Sequence, residues 1–428
     1  GNPDAALQTV SGKNNMRLSR MDFFKLGGAT LIAAVGGTVW RAVDQGVFSV
    51  GQGPAYEAWT NWRDAKPPIE RIIAAGILAS NPHNSQPWIF RITEMTIDLF
   101  ADRTRQIGTI DPFLREMYIG LGCALENMLL AAQAEGLTPT LGLMPDLADK
   151  SHAARINLIP SSPTSSDLYF AIPNRHTDRG AYDITRPLAS ETFEAIESLI
   201  AEADVHLFWY KDKAVRAQFS QVANDATEAL VADDEQSTDS HRWWRQDWDQ
   251  LQERADGITI DTQSLGPITT IAKILPDLPR EQNDASLVQN VREVMLPTAA
   301  AFGILAVSNR MDNVQRLNCG RAWERIHLWA TTQGLAMQPL NQMCERLDRE
   351  LQLGSEPVIG DAVRQLLNDD AWQAIMPFRL GYPTQKTNLS PRRGLENVVA
   401  KKYSAGTIWL RAVKNQSSFS RWHPLWSR

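Results

Sequence analysis

Apolar and polar positions along the chain form short apolar runs, typical of strands, and longer stretches with helical periodicity. In the first part of the chain this pattern predicts helices over residues 68–79 and 122–137, and strands over 88–92, 96–101 and near 154–159. In the second part it predicts helices over 190–203, 214–232 and 320–335, and strands over 205–210, 302–308 and near 377–381. Helices mixed with a few short strands predict an α+β sandwich.

Two of the predicted helices are copies of an internal repeat. GCALENMLLAAQAEGL (122–137) and GRAWERIHLWATTQGL (320–335) align without a gap and share seven of sixteen residues. Each copy is apolar on nearly every face, which indicates a helix buried between two layers, and each ends near a glycine suited to a helix C-terminus. The repeat predicts two related lobes that form a dimer-like arrangement within one chain. The alternative is that two Ala/Leu-rich helices have converged by chance.

We expect an N-terminal arm (1–60), a first, shorter lobe (61–165), a second lobe (166–400) and a C-terminal extension (401–428). The second lobe carries an insertion at about 235–290. Within it, HRWWRQDWDQLQERAD places Trp244, Trp248 and Leu251 at helical spacing. This segment is either a lid that excludes water from a binding site or a surface helix whose tryptophans pack on the body.

Composition and charge exclude several classes of protein. The 428 residues are 43% hydrophobic and 21% charged, which is typical of a globular protein with room for two or three domains. A formal net charge of −6, without a basic stripe, argues against a nucleic-acid partner. Three cysteines without CxxC spacing indicate neither a disulfide framework nor a metal site. The chain contains no phosphate-binding P-loop, complete dinucleotide fingerprint, G-x-S-x-G elbow or HExxH pair.

The N-terminal arm has an export-like pattern. RLSRMDFFK (17–25) precedes a fifteen-residue run of small and apolar residues, which is shorter than a membrane span. The pattern resembles a twin-arginine (Tat) signal, although the expected arginine pair reads Arg20-Met21 and no clear cleavage site follows before Trp59. The alternative is an amphipathic helix that docks on the body or on a membrane surface. The protein is therefore expected in the periplasm or at the membrane through this segment, with the cytoplasm as the alternative.

Four further motifs carry the candidate chemistry. They are SNPHNSQPWIF (80–90), RHTDR (175–179), GLAMQPLNQ (334–342) and SPRR (390–393). Together they resemble the FMN-dependent nitroreductase superfamily and, within it, the fused two-lobed branch similar to the mycobacterial Acg proteins. The resemblance covers about residues 65–400 and implies a nitroreductase-like fold with FMN as the cofactor.

The resemblance also implies roles for individual residues around the flavin ring. Asn81, Pro82 and Asn84 would line it from one lobe, because amides both donate and accept hydrogen bonds at its polar edge. From the other lobe, a backbone N–H would approach flavin N5 at Asn341 or Gln342, after Pro339 and Leu340. Many relatives have an acidic residue and a glycine where this chain has Asn341-Gln342, so the backbone donor is implied here without the acidic side chain near N5. Gln86, Pro87 and Trp88 are expected to shape and bury the loop.

The dianionic phosphate of FMN calls for arginines, whose planar guanidinium binds phosphate through two hydrogen bonds. The candidates are Arg175, Arg179, Arg392 and Arg393, with a hydroxyl from Thr177. The alternatives are a solvated charged loop and a basic tail. Arg310 would hold negative charge on the pyrimidine side of the ring, or else is an exposed loop arginine. His83 is either a substrate contact or a structural histidine, and Glu126 and Glu324 are expected to be internally paired polar positions.

Three functions follow from this pattern. The first is an FMN oxidoreductase that passes electrons from NAD(P)H, or another donor, to a small aromatic acceptor such as a nitroaromatic or a quinone. The second is an FMN-binding or FMN-storage protein with little turnover. The third is an anchored scaffold with a vestigial site. We expect one flavin per chain, a monomer or weak dimer, and a contact with export machinery only if the N-terminal segment is a signal.

Overall fold

The computed structural model describes residues 38–264, 268–402 and 409–410. The α-helices are α1 (38–44), α2 (Glu57–Asn61), α3 (Pro68–Gly76), α4 (Arg115–Ala134), α5 (Asp167–Ala171), α6 (Ser190–Ser198), α7 (Lys213–Ala232), α8 (Asp234–His241), α9 (Trp248–Arg254), α10 (Ile268–Ile274), α11 (Arg280–Asn290), α12 (Leu296–Thr298), α13 (Asn313–Thr332), α14 (Gln342–Leu353) and α15 (Val358–Leu367). The strands are β1 (Trp88–Thr93), β2 (Thr96–Ala101), β3 (Leu137–Leu143), β4 (His152–Pro160), β5 (Val205–Tyr210), β6 (Trp244–Arg245), β7 (Ile258–Thr259), β8 (Ala301–Val307), β9 (Ala336–Pro339), β10 (Gln373–Gly381), β11 (Lys401–Lys402) and β12 (Trp409–Leu410).

Two four-stranded antiparallel sheets define the two lobes. The first has the strand order β1-β2-β4-β3 and the second β5-β8-β10-β9. All seven residues of β8, AFGILAV, are buried, which explains why this central strand reads as a continuous apolar run. The expected α+β fold with two related lobes is confirmed.

The two repeat helices, α4 and α13, pack against each other between the sheets. Each is 20 residues long. They cross at Gly122 and Gly320: a Cβ on Gly122 would lie 2.2 Å from the carbonyl oxygen of Leu317, and a Cβ on Gly320 would lie 2.0 Å from that of Ile119. Each glycine thus meets the carbonyl three residues before the other, which is the reciprocal contact of a two-fold interface. The repeat therefore marks the axis that relates the lobes.

The glycines expected at the C-terminal ends of the repeat helices are found there, but the helices end three residues earlier than predicted, at Ala134 and Thr332, and also begin earlier. Gly136 and Gly334 follow the helices with φ of +74° and +67°, the left-handed conformation that glycine adopts at a helix C-terminus. Both helices begin several residues before the repeat, at Arg115 and Asn313. In α4 the first turn is buried although it is charged, so the apolar pattern does not reveal it.

The insertion (residues 235–290) is not one long helix. Trp244 lies in the short strand β6, which pairs in parallel with β7, whereas Trp248 and Leu251 lie one turn apart in α9. The helical spacing expected for all three residues is therefore correct only for the last two. Trp248 stacks on Tyr56, with 6.4 Å between ring centroids, and so packs on the body.

Several expectations concern the ends of the chain and its cysteines. The Tat-like pattern at 17–25 lies outside the described residues, as does most of the C-terminal extension. Within the part of the chain that is described, no helix is both long and apolar enough to cross a bilayer. Cys123, Cys319 and Cys344 are buried free thiols.

Candidate functional site

A cavity of about 320 Å³ lies between the two lobes and beneath the insertion; we call it the interlobe cavity. This volume is near the lower end of the range of about 300–1,000 Å³ found for small-molecule sites. The first lobe lines it with the loop after α3 and the start of α4, and the second with the RHTDR segment and the residues that follow β9. The insertion covers it with α8, β6, β7 and α11.

The loop of residues 80–88 brings Asn81 and Pro82 to the cavity wall. Its backbone turns sharply, because His83, Asn84 and Gln86 all adopt positive φ values of 48–51°, a region that residues other than glycine rarely occupy. Asn81 stabilises the turn by accepting a hydrogen bond from the backbone N–H of Gln86 at 2.7 Å.

Gly120 of α4 lets this loop approach the helix. A Cβ there would lie 3.0 Å from Cδ of Pro82 and 3.2 Å from Cβ of Asn81. Gly120 also lines the cavity. The close contact is a site feature that the sequence pattern alone did not single out.

Asn84 does not line the cavity but joins three segments. Its Nδ2 donates to the carbonyl oxygens of Gly257 at 3.2 Å and Pro391 at 2.9 Å, and its Oδ1 accepts from Arg392 at 2.6 Å. Asn84 therefore ties the loop to the insertion and to the SPRR segment. Trp88, at the end of the loop, is fully buried as predicted.

Thr177 and Arg179 of the RHTDR segment line the cavity. Nη1 of Arg179 donates to the carbonyl oxygen of Thr262 at a long 3.5 Å. Burial lowers the pKa of Arg179 to about 10, so the side chain is charged at neutral pH. Since no described carboxylate forms an ion pair with it, this guanidinium has capacity for an anionic ligand.

Arg175, by contrast, points away from the cavity. Its Nε lies 2.9 Å from Oε1 of Glu324, and its Nη2 donates to the carbonyl oxygen of Leu78 at 3.0 Å. Both members of the ion pair are buried. Glu324 is thus a paired structural position, as expected, but its pairing neutralises one of the arginines assigned to the phosphate.

The two arginines of the SPRR segment are buried and hold the first-lobe loop. Arg392 donates to Asn84 and lies over the ring of Trp59, 4.7 Å from its centroid. Arg393 donates from its backbone N–H to Oε1 of Gln86 at 2.8 Å, and from Nη1 to the carbonyl oxygen of the same residue at 3.2 Å. Neither side chain lines the cavity, and their phosphate roles stay predictions.

The end of β9 and the residues that follow it supply a second-lobe wall. Pro339, Asn341 and Gln342 line the cavity, whereas Leu340 is buried in the core on the far side of the second sheet. Gln338, also in the wall, is fixed by Nε of the fully buried Arg379, which donates to its Oε1 at 2.7 Å.

Arg379 also supports the RHTDR segment, because its Nη2 donates to the carbonyl oxygen of Gly180 at 2.8 Å. This one arginine thus positions both second-lobe walls of the cavity. Its position in the middle of an apolar strand gave no signal in the sequence.

Four buried polar atoms of the cavity residues have no hydrogen-bond partner among the described residues. They are Oγ of Ser80, Nε1 of Trp244, Nε1 of Trp323 and Oδ1 of Asn341. Buried polar groups are nearly always paired, so this set indicates a ligand that offers both donors and acceptors. A flat heteroaromatic ring with polar edge atoms fits that requirement.

Two acidic residues in the cavity wall were missed by sequence reasoning. Glu116 lies in the first turn of α4 and Glu345 in the first turn of α14, and both line the cavity. Nη2 of Arg115 donates to Oε1 of Glu116 at 3.0 Å. Burial raises the pKa of Glu116 to about 7 and that of Glu345 well above its ordinary value. The only sequence signal was the charged pair Arg115-Glu116 before a largely apolar helix.

Arg310 is close to this region but not in the wall. Its Nη2 lies 2.9 Å from Oδ1 of Asp348, and both side chains are buried. The alternative of an exposed loop arginine is therefore wrong for Arg310, while its role toward a flavin stays a prediction.

His83 lines the cavity as a neutral side chain. Burial, together with the charge of Arg179, lowers its pKa to about 4. Its Nε2 lies 3.1 Å from Oγ of Ser240 in α8, so it connects the loop to the insertion. This contact favours the structural interpretation over that of a proton donor.

No protein-family model matches the chain. Over 134 residues, or 31% of the chain, it is 34% identical to Rv3131 of Mycobacterium tuberculosis H37Rv, whose name assigns it a provisional NAD(P)H nitroreductase activity. Over 93 residues, or 22% of the chain, it is 31% identical to acg of the same organism, which carries a name of the same form. These matches cover 38% and 28% of the two relatives, so the chain spans well under half the length of the curated proteins it matches.

Similar solved structures include the FMN-dependent nitroreductase NfnB of Mycobacterium smegmatis in complex with NADPH, with a TM-score of 0.35 and 16% identity. This likeness covers 56% of the present chain and 98% of that one. A nitroreductase with bound FMN from Bacteroides fragilis gives a TM-score of 0.31 and 14% identity, over 57% and 98% of the two chains. The chain is thus similar in sequence to provisional nitroreductases over the segments stated.

Proposed function

We propose that this protein binds FMN in the interlobe cavity and passes electrons from NAD(P)H, or another donor, to an electron-poor acceptor such as a nitroaromatic or a quinone. The observation that carries the proposal is the set of four unpartnered polar atoms in one cavity with a cation, Arg179, that has no ion-pair partner among the described residues. The names of the mycobacterial relatives support the same activity.

The cavity residues suit the parts of FMN in different ways. Asn81, Asn341 and Gln342 would pair with the polar edge of the ring, and the two indoles of Trp244 and Trp323 would supply an aromatic surface and N–H donors. Thr177 and Arg179 would hold an anionic group. The bound flavin supplies the two-electron chemistry, while the protein binds, orients and excludes water.

A second candidate, an FMN-holding protein with little turnover, is favoured by how the insertion is fastened. Three loop residues bond to it: Asn84 to Gly257, Gln86 to Ala255 at 2.8 Å, and His83 to Ser240. An insertion held at three points would slow the entry of an acceptor. We propose that it acts as a lid, whose opening decides between the two candidates.

Titration with FMN, followed by anaerobic addition of NADPH and then a quinone, tests both candidates. A flavin spectrum that bleaches with NADPH and recovers with the quinone supports the oxidoreductase. Bound flavin that dithionite reduces but that the quinone does not reoxidise supports the holding protein. Failure of the wild-type protein to bind FMN would refute both.

The variant Arg179→Met sharpens the binding experiment. It should weaken FMN binding by about tenfold to a hundredfold, since hydrogen bonds to charged groups contribute about 1.5–3 kcal/mol each. Arg254→Met is the matched control, because Arg254 is exposed at the end of α9 and does not line the cavity. Equal affinity of the two variants for FMN would show that Arg179 does not contribute to FMN binding.

We also propose that the segment of residues 17–40 directs the chain to the periplasm or to a membrane surface. The support is its basic and then small, apolar residue pattern. Fusion of residues 1–60 to a reporter that is active only after export tests this proposal, and a reporter that stays inactive would contradict it.

A further inference from the structure

The carboxyl pair Glu116–Glu345 has no role in the argument so far. Both side chains line the interlobe cavity and are at most 5% exposed. Nη2 of Arg115 donates to Oε1 of Glu116 at 3.0 Å, whereas no cation among the described residues forms an ion pair with the carboxyl group of Glu345. A buried carboxylate without a cation is costly, which favours a proton on this pair. The cavity wall therefore holds a proton at this pair of carboxyl groups.

The charges around the pair explain why it keeps this proton. The pair belongs to a buried charge cluster, whose members are Asp111, Arg115, Glu116, Arg310, Arg316, Glu345 and Asp348. Four carboxyls face three guanidiniums, so one proton makes the cluster neutral, and an uncompensated buried charge is costly.

Only Glu116 and Glu345 among these charged groups reach the cavity. Other ionisable groups near the pair differ in charge: burial raises the pKa of the Cys344 thiol to about 11, and the pKa of His83 in the opposite wall is lowered to about 4. Arg179 and Asp284 also line the cavity, from the RHTDR segment and from α11. His241 lines the cavity from the insertion.

We propose that the Glu116–Glu345 pair is the proton donor of the cavity, which gives its proton to an oxygen of the acceptor as the acceptor is reduced. The inference rests on the proposed oxidoreductase function. One oxygen of a quinone accepts a hydride, which carries two electrons and one proton. Its ring electrons shift to the other oxygen, which then takes the proton of the carboxyl pair. The pair is left as two carboxylates beside Arg115 and regains a proton from solvent after the hydroquinone leaves.

The ionisation of the pair suits this task. Its raised pKa values keep a proton in the wall at pH 6 that an ordinary glutamate would have lost. A proton leaves the pair as the pH rises through the folded-state pKa of about 7 for Glu116, while the raised pKa of Glu345 holds its proton more firmly than an ordinary glutamate would. A general acid is most effective when its pKa is near the working pH. The proton transfer should therefore slow above neutral pH.

The first test detects the proton without any turnover. Infrared difference spectra of the purified protein between pH 6 and pH 8.5 should show the C=O band of a protonated carboxyl that disappears at high pH. The band should be lost in Glu116→Gln and in Glu345→Gln and kept in Glu356→Gln, which changes an exposed residue just after α14. A band that is unchanged in both wall variants would overturn the proposal.

The second test separates the two half-reactions in stopped-flow experiments on the FMN-loaded protein. Flavin reduction by NADPH needs no proton from the wall, so both wall variants should slow that step far less than the reoxidation. Reoxidation by a quinone should slow by about a hundredfold, the usual contribution of a general acid, and lose its pH dependence. Equal slowing of both half-reactions, or of neither, would refute the donor role.

These outcomes distinguish a failure of the inference from a failure of the proposed function. Wild-type protein that shows the carboxyl band but binds no FMN would refute the oxidoreductase and with it the donor role. Wild-type protein that turns over normally, with wall variants that reoxidise at the same rate, would refute the donor role alone. Binding of FMN by each variant verifies that the variant is folded.

Discussion

Addition of one methyl group at the crossing of the two repeat helices should destabilise the protein and loosen the site. In Gly122→Ala the new Cβ would lie 2.2 Å from the carbonyl oxygen of Leu317 and 3.0 Å from Cα of Gly320. Carbon–oxygen contacts settle at about 3.3–3.6 Å, so the helices would have to separate by about 1 Å. All the obstructing atoms are backbone atoms, which no change of rotamer can remove.

The magnitude follows from two opposing effects. Overpacking costs about 1–3 kcal/mol, and a backbone clash belongs at the upper end of that range. Alanine is a better helix former than glycine by about 1 kcal/mol, which offsets part of the cost. We therefore expect Gly122→Ala and Gly320→Ala each to lower the free energy of unfolding by about 2 kcal/mol. The double variant should lose less than the sum, because one separation makes room for both methyl groups.

Urea denaturation followed by tryptophan fluorescence measures this loss. Gly360→Ala is the matched control, because Gly360 also lies in a helix but its Cβ would have no neighbour closer than 3.4 Å. The control should be stabilised by up to about 1 kcal/mol. Gly122→Ala with a stability within about 0.5 kcal/mol of the wild-type value, the usual range for neutral surface changes, would refute the close-packed crossing.

The same pair of variants separates stability from function. Gly320→Ala pushes on Ile119, which lines the interlobe cavity, whereas Gly122→Ala pushes on Leu317, which does not. For a similar loss of stability, Gly320→Ala should therefore weaken FMN binding more. Equal affinities would show that the crossing does not shape the cavity wall.

Three other predictions concern single side chains. Arg379→Met should lower the free energy of unfolding by about 3 kcal/mol. It leaves the carbonyl oxygens of Met295 and Gly180 and the side-chain oxygen of Gln338 without their donor, and each such loss costs about 1–3 kcal/mol. Urea denaturation of this variant, with Arg254→Met as the control, checks the prediction. Gly120→Ala should weaken FMN binding without a large loss of stability, because the new methyl group displaces Pro82 and Asn81 in the cavity wall. Fluorescence titration with FMN checks this prediction. An unchanged affinity would show that this loop does not form part of the FMN site. Burial lowers the pKa of His176 to about 3, so its contribution to stability is present above pH 6.5 and is lost as the pH falls. The stability of His176→Gln relative to the wild-type protein should therefore rise by about 1.4 kcal/mol for each pH unit that the pH is lowered between pH 6.5 and 4. Parallel curves of stability against pH for the two proteins would contradict this prediction.

The sequence predicted the fold well where apolar periodicity was decisive. The strands over 96–101 and 205–210 were predicted to the residue, and the two repeat helices were found by self-similarity. These elements are buried on one or both faces, so their patterns are dictated by the core. The prediction failed at Trp244 because a two-residue strand has no periodicity. Its position is set by pairing with β7, which lies fourteen residues further along the chain.

For the site, sequence reasoning found the segments but not the direction of each side chain. Asn81, Thr177, Arg179, Pro339 and Asn341 reach the cavity, whereas the other assigned arginines do not. An arginine in a motif carries no information about its partner, and the partner decides where the guanidinium points. Glu324, 149 positions along the chain from Arg175, could not be recognised as that partner from one sequence.

The polar positions of the repeat helices show how a symmetric backbone supports an asymmetric site. Glu126 and Glu324 occupy the same position in the two copies, yet Glu126 accepts from Arg325 of α13 at 2.8 Å and thereby fastens helix to helix. Glu324 instead pairs with Arg175 and accepts a hydrogen bond from the backbone N–H of Ser80 at 3.2 Å. Arg175 and Ser80 belong to two segments that flank the interlobe cavity. Because one copy binds the two lobes together and the other fixes the loops of the site, the duplicated helices need identical glycines at their crossing but different partners for their carboxylates. Exchange of Glu324 for Gln should therefore loosen the loop at Ser80, whereas Glu126→Gln should weaken only the contact between the lobes.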